Sequence, residues 1–315
     1  MRFIPVWIYM QSLFIFSKIE RQGFIILMRA IKQARRVLQL IPLRVIFTVL
    51  HVFRILGLTS KHQKSLSLVA NENKRCLTGD DSKIEFTWTA QRRKALDYAA
   101  TYGRNQQVIS QLDACAAELN KVVMPLHQTK TPVILAPLHM VSDILAGIVA
   151  SKTCPGKGTV IVSANAEHYI EQDRLRGGIN LTYCSIHNQS HDVANNIISS
   201  CMEAAENKTN IIIFPDITPD YTLATDSACA SKLKCRLFDR PAKLHNGVLR
   251  LAKMISADVV FYYLYYDQGI KIRIFPVVRA NDVAEKMPKI IEHAIKAHPQ
   301  DWLLWHLHSL YFINE

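Results

Sequence analysis

The chain has 315 residues, 49% of them hydrophobic, and a formal net charge of +12 from 38 Lys/Arg against 26 Asp/Glu. Those figures exclude a chain too small or too polar to build its own core, and suit one large α/β domain with extra segments, or two small domains. The seven cysteines form no CxxC and no zinc-finger spacing, which argues against a zinc module and for free thiols in a reducing compartment. Cys184 lies three residues before His187, but a buried strand-end cysteine is the simpler reading of that pair.

The charge is concentrated. Residues 1–64 hold eleven Lys/Arg against Glu20 alone, which is +10 of the +12 and leaves +2 for residues 65–315. Residues 3–17 are uncharged and apolar, yet shorter than the roughly 20 residues a membrane-crossing helix needs. Residues 29–41 and 43–58 then alternate cations with aliphatics at helical period. This pattern predicts N-terminal amphipathic, membrane-associated helices, with Lys and Arg on anionic headgroups and Trp7 and Tyr9 at the boundary. One tilted span and ordinary packing on the domain are the alternatives. Bulky aliphatics interleave the cations and no reader motif occurs, so nucleic acid is not an expected partner.

Residues 60–81 are polar and read as a linker, and residues 89–120 read as helix. From residue 132 strands and helices alternate. Strands are expected at 132–137, 159–163, 180–185, 210–214, 257–265 and 270–277, and helices at 142–151, 167–176, 191–207, 242–255 and 285–298. Such alternation predicts an α/β fold: a mostly parallel central sheet with helices on both faces. Asp267-Gln268-Gly269 reads as a hairpin turn, which makes the last strand pair antiparallel. The expected organisation is a basic amphipathic segment over 1–64, a helical lead-in over 65–125, and an α/β domain over 126–315.

Four stretches carry candidate chemistry. His139 follows a buried strand that ends at Pro137, where ligands gather in open α/β sheets. Asp143 follows it at i+4, on the same face of any helix that begins there. Asp143 is thus the candidate orienting partner for His139 as a base, the alternative being that Asp143 or Ser142 is an N-cap. A second strand, 211–214, ends in Pro215-Asp216, a second candidate group or a plain turn. Arg174 and Arg176 precede Gly177-Gly178 and suit an anion or a carboxylate, or simply a helix C-terminus. Arg240 and Lys243 lie in a basic loop before a helix containing Gly247, whose cost to a helix implies close approach by substrate or by another element.

In this order and at these separations the pieces resemble the late acyltransferases of lipid A biosynthesis, the lauroyl/myristoyl-transferring family of the lysophospholipid acyltransferase superfamily. The matching residues are His139; Arg174 or Arg176 before Gly177; Asp216; Leu237-Phe238 with Ala242 and Gly247; and His298-Pro299-Gln300-Asp301-Trp302-Leu303-Leu304-Trp305-His306. The resemblance covers residues 75–310. The chain departs from the family in having its acid at i+4 from the histidine rather than i+5, and Leu307-His308 where the family has a basic pair. Residues 218–234 are also unusual, which leaves the acceptor open.

The resemblance implies a membrane-associated O-acyltransferase on the cytoplasmic face of a bacterial inner membrane. An acyl chain would pass from acyl carrier protein or acyl-CoA to a hydroxyl of a glycolipid or lipid-linked saccharide, with lipid A, lipopolysaccharide or a capsule's lipid end as possible destinations. His139 would be the general base and Asp143 its orienting partner. Arg174 or Arg176, or backbone N–H groups at the helix start, would meet the oxyanion, and Asp216 would fix the arginine. Arg240, Lys243 and Gly247 are the expected substrate-binding residues; no metal or cofactor is expected. A non-catalytic lipid-binding or scaffold relative, marked by the shortened His–Asp spacing, is the alternative. An esterase of the nucleophile-elbow type is disfavoured because no Gly-x-Ser-x-Gly occurs.

Overall fold

The computed structural model describes residues 41–55, 61–162, 181–185, 191–217 and 232–307. The first 40 residues, Arg174, Arg176, His187 and the expected helix at 167–176 lie outside them. Eight α-helices are described: α1 (Leu43–Ile55), α2 (Lys61–Thr78), α3 (Phe86–Ala100), α4 (Gln106–Gln128), α5 (Asp143–Ser151), α6 (His191–Ala205), α7 (Gly247–Ile255) and α8 (Val283–Ala297). The strands are β1 (Val133–Pro137), β2 (Gly158–Val162), β3 (Leu181–Ser185), β4 (Asn210–Ile212), β5 (Lys232–Leu237), β6 (Arg240–His245), β7 (Asp258–Tyr266) and β8 (Ile270–Ile274).

Six strands form one sheet in the order β3-β2-β4-β1-β7-β8, parallel except for the β7–β8 hairpin. β1 is buried along its whole length, as a central parallel strand covered on both faces should be. Alternate residues feed two cores. Ile134, Ile211, Val259 and Phe261 join α2, α6, α7 and α8 on one face. Leu135, Ile212, Val260 and Tyr262 join α3, α4 and α5 on the other. The helices before β1 therefore share the core of the sheet.

The strand order sets the site. β1 connects to β2 on one side, and β4 leads on towards β7 on the other, so the adjacent pair β1–β4 is the topological switch point. In open parallel sheets the crevice beyond the C-terminal ends of such a pair receives ligands. Ile213 N donates to Leu135 O at 3.0 Å and Leu138 N to Tyr262 O at 3.0 Å, so both chains leave the sheet side by side.

Three expectations need correction. The polar stretch after residue 60 is helix α2, because its polar side chains are used internally. Asn71 both donates to and accepts from the backbone of Ile84, at 2.9 and 2.8 Å. Asn73 Nδ2 donates to Trp305 O at 2.7 Å, and the buried Lys74 ammonium meets Ser82 and the Asp80 carboxylate. The helix expected over 89–120 is two helices. Arg104 turns through φ 46°, and Asn105 caps α4 by accepting from Gln107 N and Val108 N at 3.1 and 3.2 Å. Residues 240–245 are strand rather than helix or loop: β5 and β6 form a separate antiparallel hairpin turning at Phe238-Asp239, both at positive φ as a type I′ turn requires.

The C-terminal segment is tied in by a buried ion pair. Arg92 donates to Asp301 Oδ1, Tyr266 N donates to Asp301 Oδ2 at 3.0 Å, and the guanidinium lies 5.1 Å from the Tyr266 ring centre. Removing one member of such a pair leaves the other charge buried alone. Arg92→Met is expected to lower unfolding free energy by about 3–5 kcal/mol in urea titrations; an unchanged midpoint would show that the pair anchors nothing.

Candidate active site

His139 sits in the loop between β1 and α5. That loop is tightly wound: Met140 N donates to Leu138 O and Ser142 N to Met140 O, both at 2.7 Å. Val141 is held at φ 61°, a left-handed conformation that a β-branched residue adopts only under constraint. The constraint is the C-terminal segment. Val141 N donates to Asp301 O and Leu303 N to His139 O, both at 2.9 Å, and Met140 bridges Trp302.

The partner of His139 is Asp216. The imidazole Nδ1 lies 2.7 Å from Asp216 Oδ1, and the backbone N–H of His139 donates to Oδ2 at 2.9 Å. Trp302 Nε1 donates to the same Oδ2 at 3.0 Å. Asp216 is completely buried, so these N–H groups stand where water would otherwise be. A carboxylate at Nδ1 fixes the tautomer with the proton on Nδ1 and the lone pair on Nε2. His139 Nε2 has no hydrogen bond among the described residues, and the side chain is 15% exposed. The ring packs on Phe214, with centroids 4.5 Å apart. The result is an oriented base with its acceptor nitrogen open.

Asp143 does not orient His139, contrary to the expectation from their spacing. The loop turn puts Asp143 at the first position of α5, where the Arg93 guanidinium of α3 pairs with it. Ser142 is the N-cap, accepting from Leu145 N at 3.1 Å, and its hydroxyl donates to Asp97. Asp216 therefore holds the histidine itself; Arg174 and Arg176, the arginines it was expected to fix, lie outside the described residues. Trp302 supplies the third N–H; the resemblance included it in the His298–His306 stretch without giving it a role.

The other expected residues lie further out. Arg240, at the hairpin turn, donates to Cys76 O on α2 at 2.7 Å. Lys243 lies on the hairpin face away from the core. Gly247 is the first residue of α7, not an interior one; a β-carbon there would come within 2.8 Å of the His245 ring and 3.0 Å of Ile213. Its close approach is thus to other elements of the chain. Burial pushes the Cys115 and Cys235 thiols up to about 11 and raises Cys184 and Cys201 as well, the behaviour of packed thiols and not of nucleophiles. No group of three or more metal-ligating side chains occurs among the described residues.

No protein-family model matches the chain, and no curated protein matches it.

The carboxyl of Asp97, beside this loop, is pushed up to about 7, chiefly by burial; the Ser142 hydroxyl and Arg93 oppose the shift and Asp143 adds to it. Between its ordinary 3.8 and about 7 the folded chain keeps a proton that the unfolded chain has released. Stability from this group is thus full below the lower value and lost as pH rises to the upper one. Melting temperatures of Asp97→Asn and the parent, taken from about pH 4 to about pH 8, should converge at the acid end, with the variant the more stable at the alkaline end. Parallel curves would remove Asp97 as the source of the slope.

Proposed function

We propose that the protein is an O-acyltransferase that moves a fatty acyl chain from an acyl thioester to a hydroxyl of a glycolipid or lipid-linked saccharide. The observation that carries this reading is His139, held at Nδ1 by the buried Asp216 with Nε2 open, at the switch point of a parallel sheet. In the proposed reaction Nε2 takes the proton of the acceptor hydroxyl as its oxygen attacks the thioester carbonyl. The tetrahedral intermediate collapses, the new ester C–O bond stays and the C–S bond breaks. The imidazolium then returns its proton to the departing thiolate. Asp216 stabilises the imidazolium throughout, and the N-terminal end of α5 favours the negative charge developing on the carbonyl oxygen.

The non-catalytic alternative rested on the short His139–Asp143 spacing. With Asp216 serving the imidazole, that spacing is no argument against activity. The decisive assay is acyl transfer from labelled acyl carrier protein and acyl-CoA into membrane glycolipid by the parent chain, His139→Ala, Asp216→Asn and Asp143→Ala. The first two variants are expected to lose about 10²- to 10⁴-fold in rate, whereas Asp143→Ala keeps most of it. Equal transfer by all four proteins would sink the proposal.

Action on a lipid acceptor calls for residence at a membrane surface. None of the described helices is long and apolar enough to cross a membrane. Helix α1 instead leaves Val45, Val49, Val52 and Ile55 exposed at spacings of three and four residues, with Arg44 and Arg54 nearby in sequence. That arrangement supports peripheral binding to an anionic leaflet, and the cytoplasmic face of a bacterial inner membrane is the proposed location. Val49→Glu/Val52→Glu should reduce co-sedimentation with anionic vesicles at least several-fold; full retention would exclude α1 as a lipid contact.

A further inference from the structure

The β5–β6 hairpin carries a charge pattern that its own fold does not explain. Residues 232–245 contain five Lys/Arg and one acid, Asp239, which lies at the turn. The register pairs Lys232 with His245, Lys234 with Lys243, and Arg236 with Pro241. Residues directly opposite in an antiparallel pair share a face, so Lys232, Lys234, Arg236, Lys243 and His245 all lie on one side. Leu233, Leu237, Ala242 and Leu244 lie on the other side, against the core.

Lys234 and Lys243 stand directly across from one another, an arrangement that costs hairpin stability. No acid pairs with Lys234, Arg236 or Lys243 among the described residues. Some exposed cations elsewhere have an acid close by, as in Asp282–Lys286 and Glu285–Lys289 on α8. A retained cross-strand repulsion on one face points to a counter-charge supplied from outside.

We propose that this face docks an acidic protein; on the acyl-transfer reading above, which it rests on only for the partner's identity, that protein is the acidic carrier presenting the acyl thioester. Two features favour a protein over a lipid surface. The face has no exposed aliphatic or aromatic residue to enter a bilayer, in contrast to the valine stripe of α1. Its cations stand in two rows about 5 Å apart across the pair and about 7 Å apart along each strand. Those intervals approximate the roughly 5–6 Å between side chains one helical turn apart, so the face can meet a row of carboxylates on a helix. The hairpin also leads into the site: His245, on this face, crowds Gly247 together with Ile213, three residues before Asp216.

The test measures binding of the full chain to a bacterial acyl carrier protein and, separately, to anionic phospholipid vesicles. Lys234→Glu/Arg236→Glu should weaken carrier binding at least about tenfold and leave vesicle binding intact, and parent affinity should fall steeply with salt. Because Lys234→Glu also turns the repulsion with Lys243 into attraction, its melting temperature should hold or rise, which separates lost docking from lost folding. Unchanged carrier binding overturns the proposal. Loss of vesicle binding with carrier binding retained also overturns it, and makes the face a membrane contact instead. His139→Ala should bind carrier normally. Thus carrier binding without transfer by the parent chain would remove the acyl-transfer reading alone, while transfer that ignores the hairpin variant would remove only the docking surface.

Discussion

A buried carboxylate with no access to water is the constraint on which the site depends. Asp216 must have its charge met by protein groups, since an unpaired buried carboxylate costs several kcal/mol. It takes N–H groups from two distant stretches of chain: His139, 77 residues earlier, and Trp302, 86 residues later. Strand β4, the loop after β1 and the C-terminal segment can satisfy it only when all three are in place. The bond that orients the base is therefore also a bond that closes the fold.

A second buried carboxylate works beside the first. Asp301 fixes the C-terminal segment to Arg92 and to Tyr266 of β7 through its side chain, and its backbone carbonyl holds Val141 in a conformation valine avoids. Trp302 meanwhile packs edge-on against Trp305, and Trp305 Nε1 closes the turn on Pro299 O at 2.7 Å. Backbone strain of this kind costs on the order of 1–3 kcal/mol and persists only where surrounding bonds over-determine it. Here it keeps His139 facing Asp216 rather than relaxing into the first turn of α5.

The sheet was largely legible because buried parallel strands leave a plain signal, short runs of Val, Ile and Leu bounded by Pro and Gly. Strands β1 and β7 and the antiparallel β7–β8 turn follow from such runs. Helix α2 was legible only as part of a helical lead-in from residue 65, because it is stabilised by polar tails such as Asn71 and Lys74 that read locally as linker composition. The β5–β6 hairpin turns on Phe238-Asp239, where the usual Asn-Gly or Asp-Gly signal is missing, so the basic stretch looked like a loop running into a helix. His139 and Asp216 were each visible as carboxyl-end residues of apolar strands. Their pairing was not, since it follows from β4 lying beside β1, and a single sequence does not record which parallel strands are neighbours.

The choice of Asp143 as partner fails for a reason that extends beyond this chain. An i,i+4 relation places two side chains together only if both residues are already helical, and His139 precedes the helix by a loop that reverses at Val141. Once outside the helix, its ring is free to meet a carboxylate from another strand. Asp143 then has to be neutralised elsewhere, because a second carboxylate near the imidazole would compete with Asp216 for the Nδ1 proton. Arg93 does this, and in turning its guanidinium to Asp143 it approaches Asp97 only through Nε at 3.7 Å. Asp97 accepts from the Ser142 hydroxyl, and burial raises its pKa against the pull of that bond and of Arg93. Three carboxyls near one loop thus have three kinds of partner: N–H donors at Asp216, a guanidinium at Asp143, and a hydroxyl at the buried Asp97.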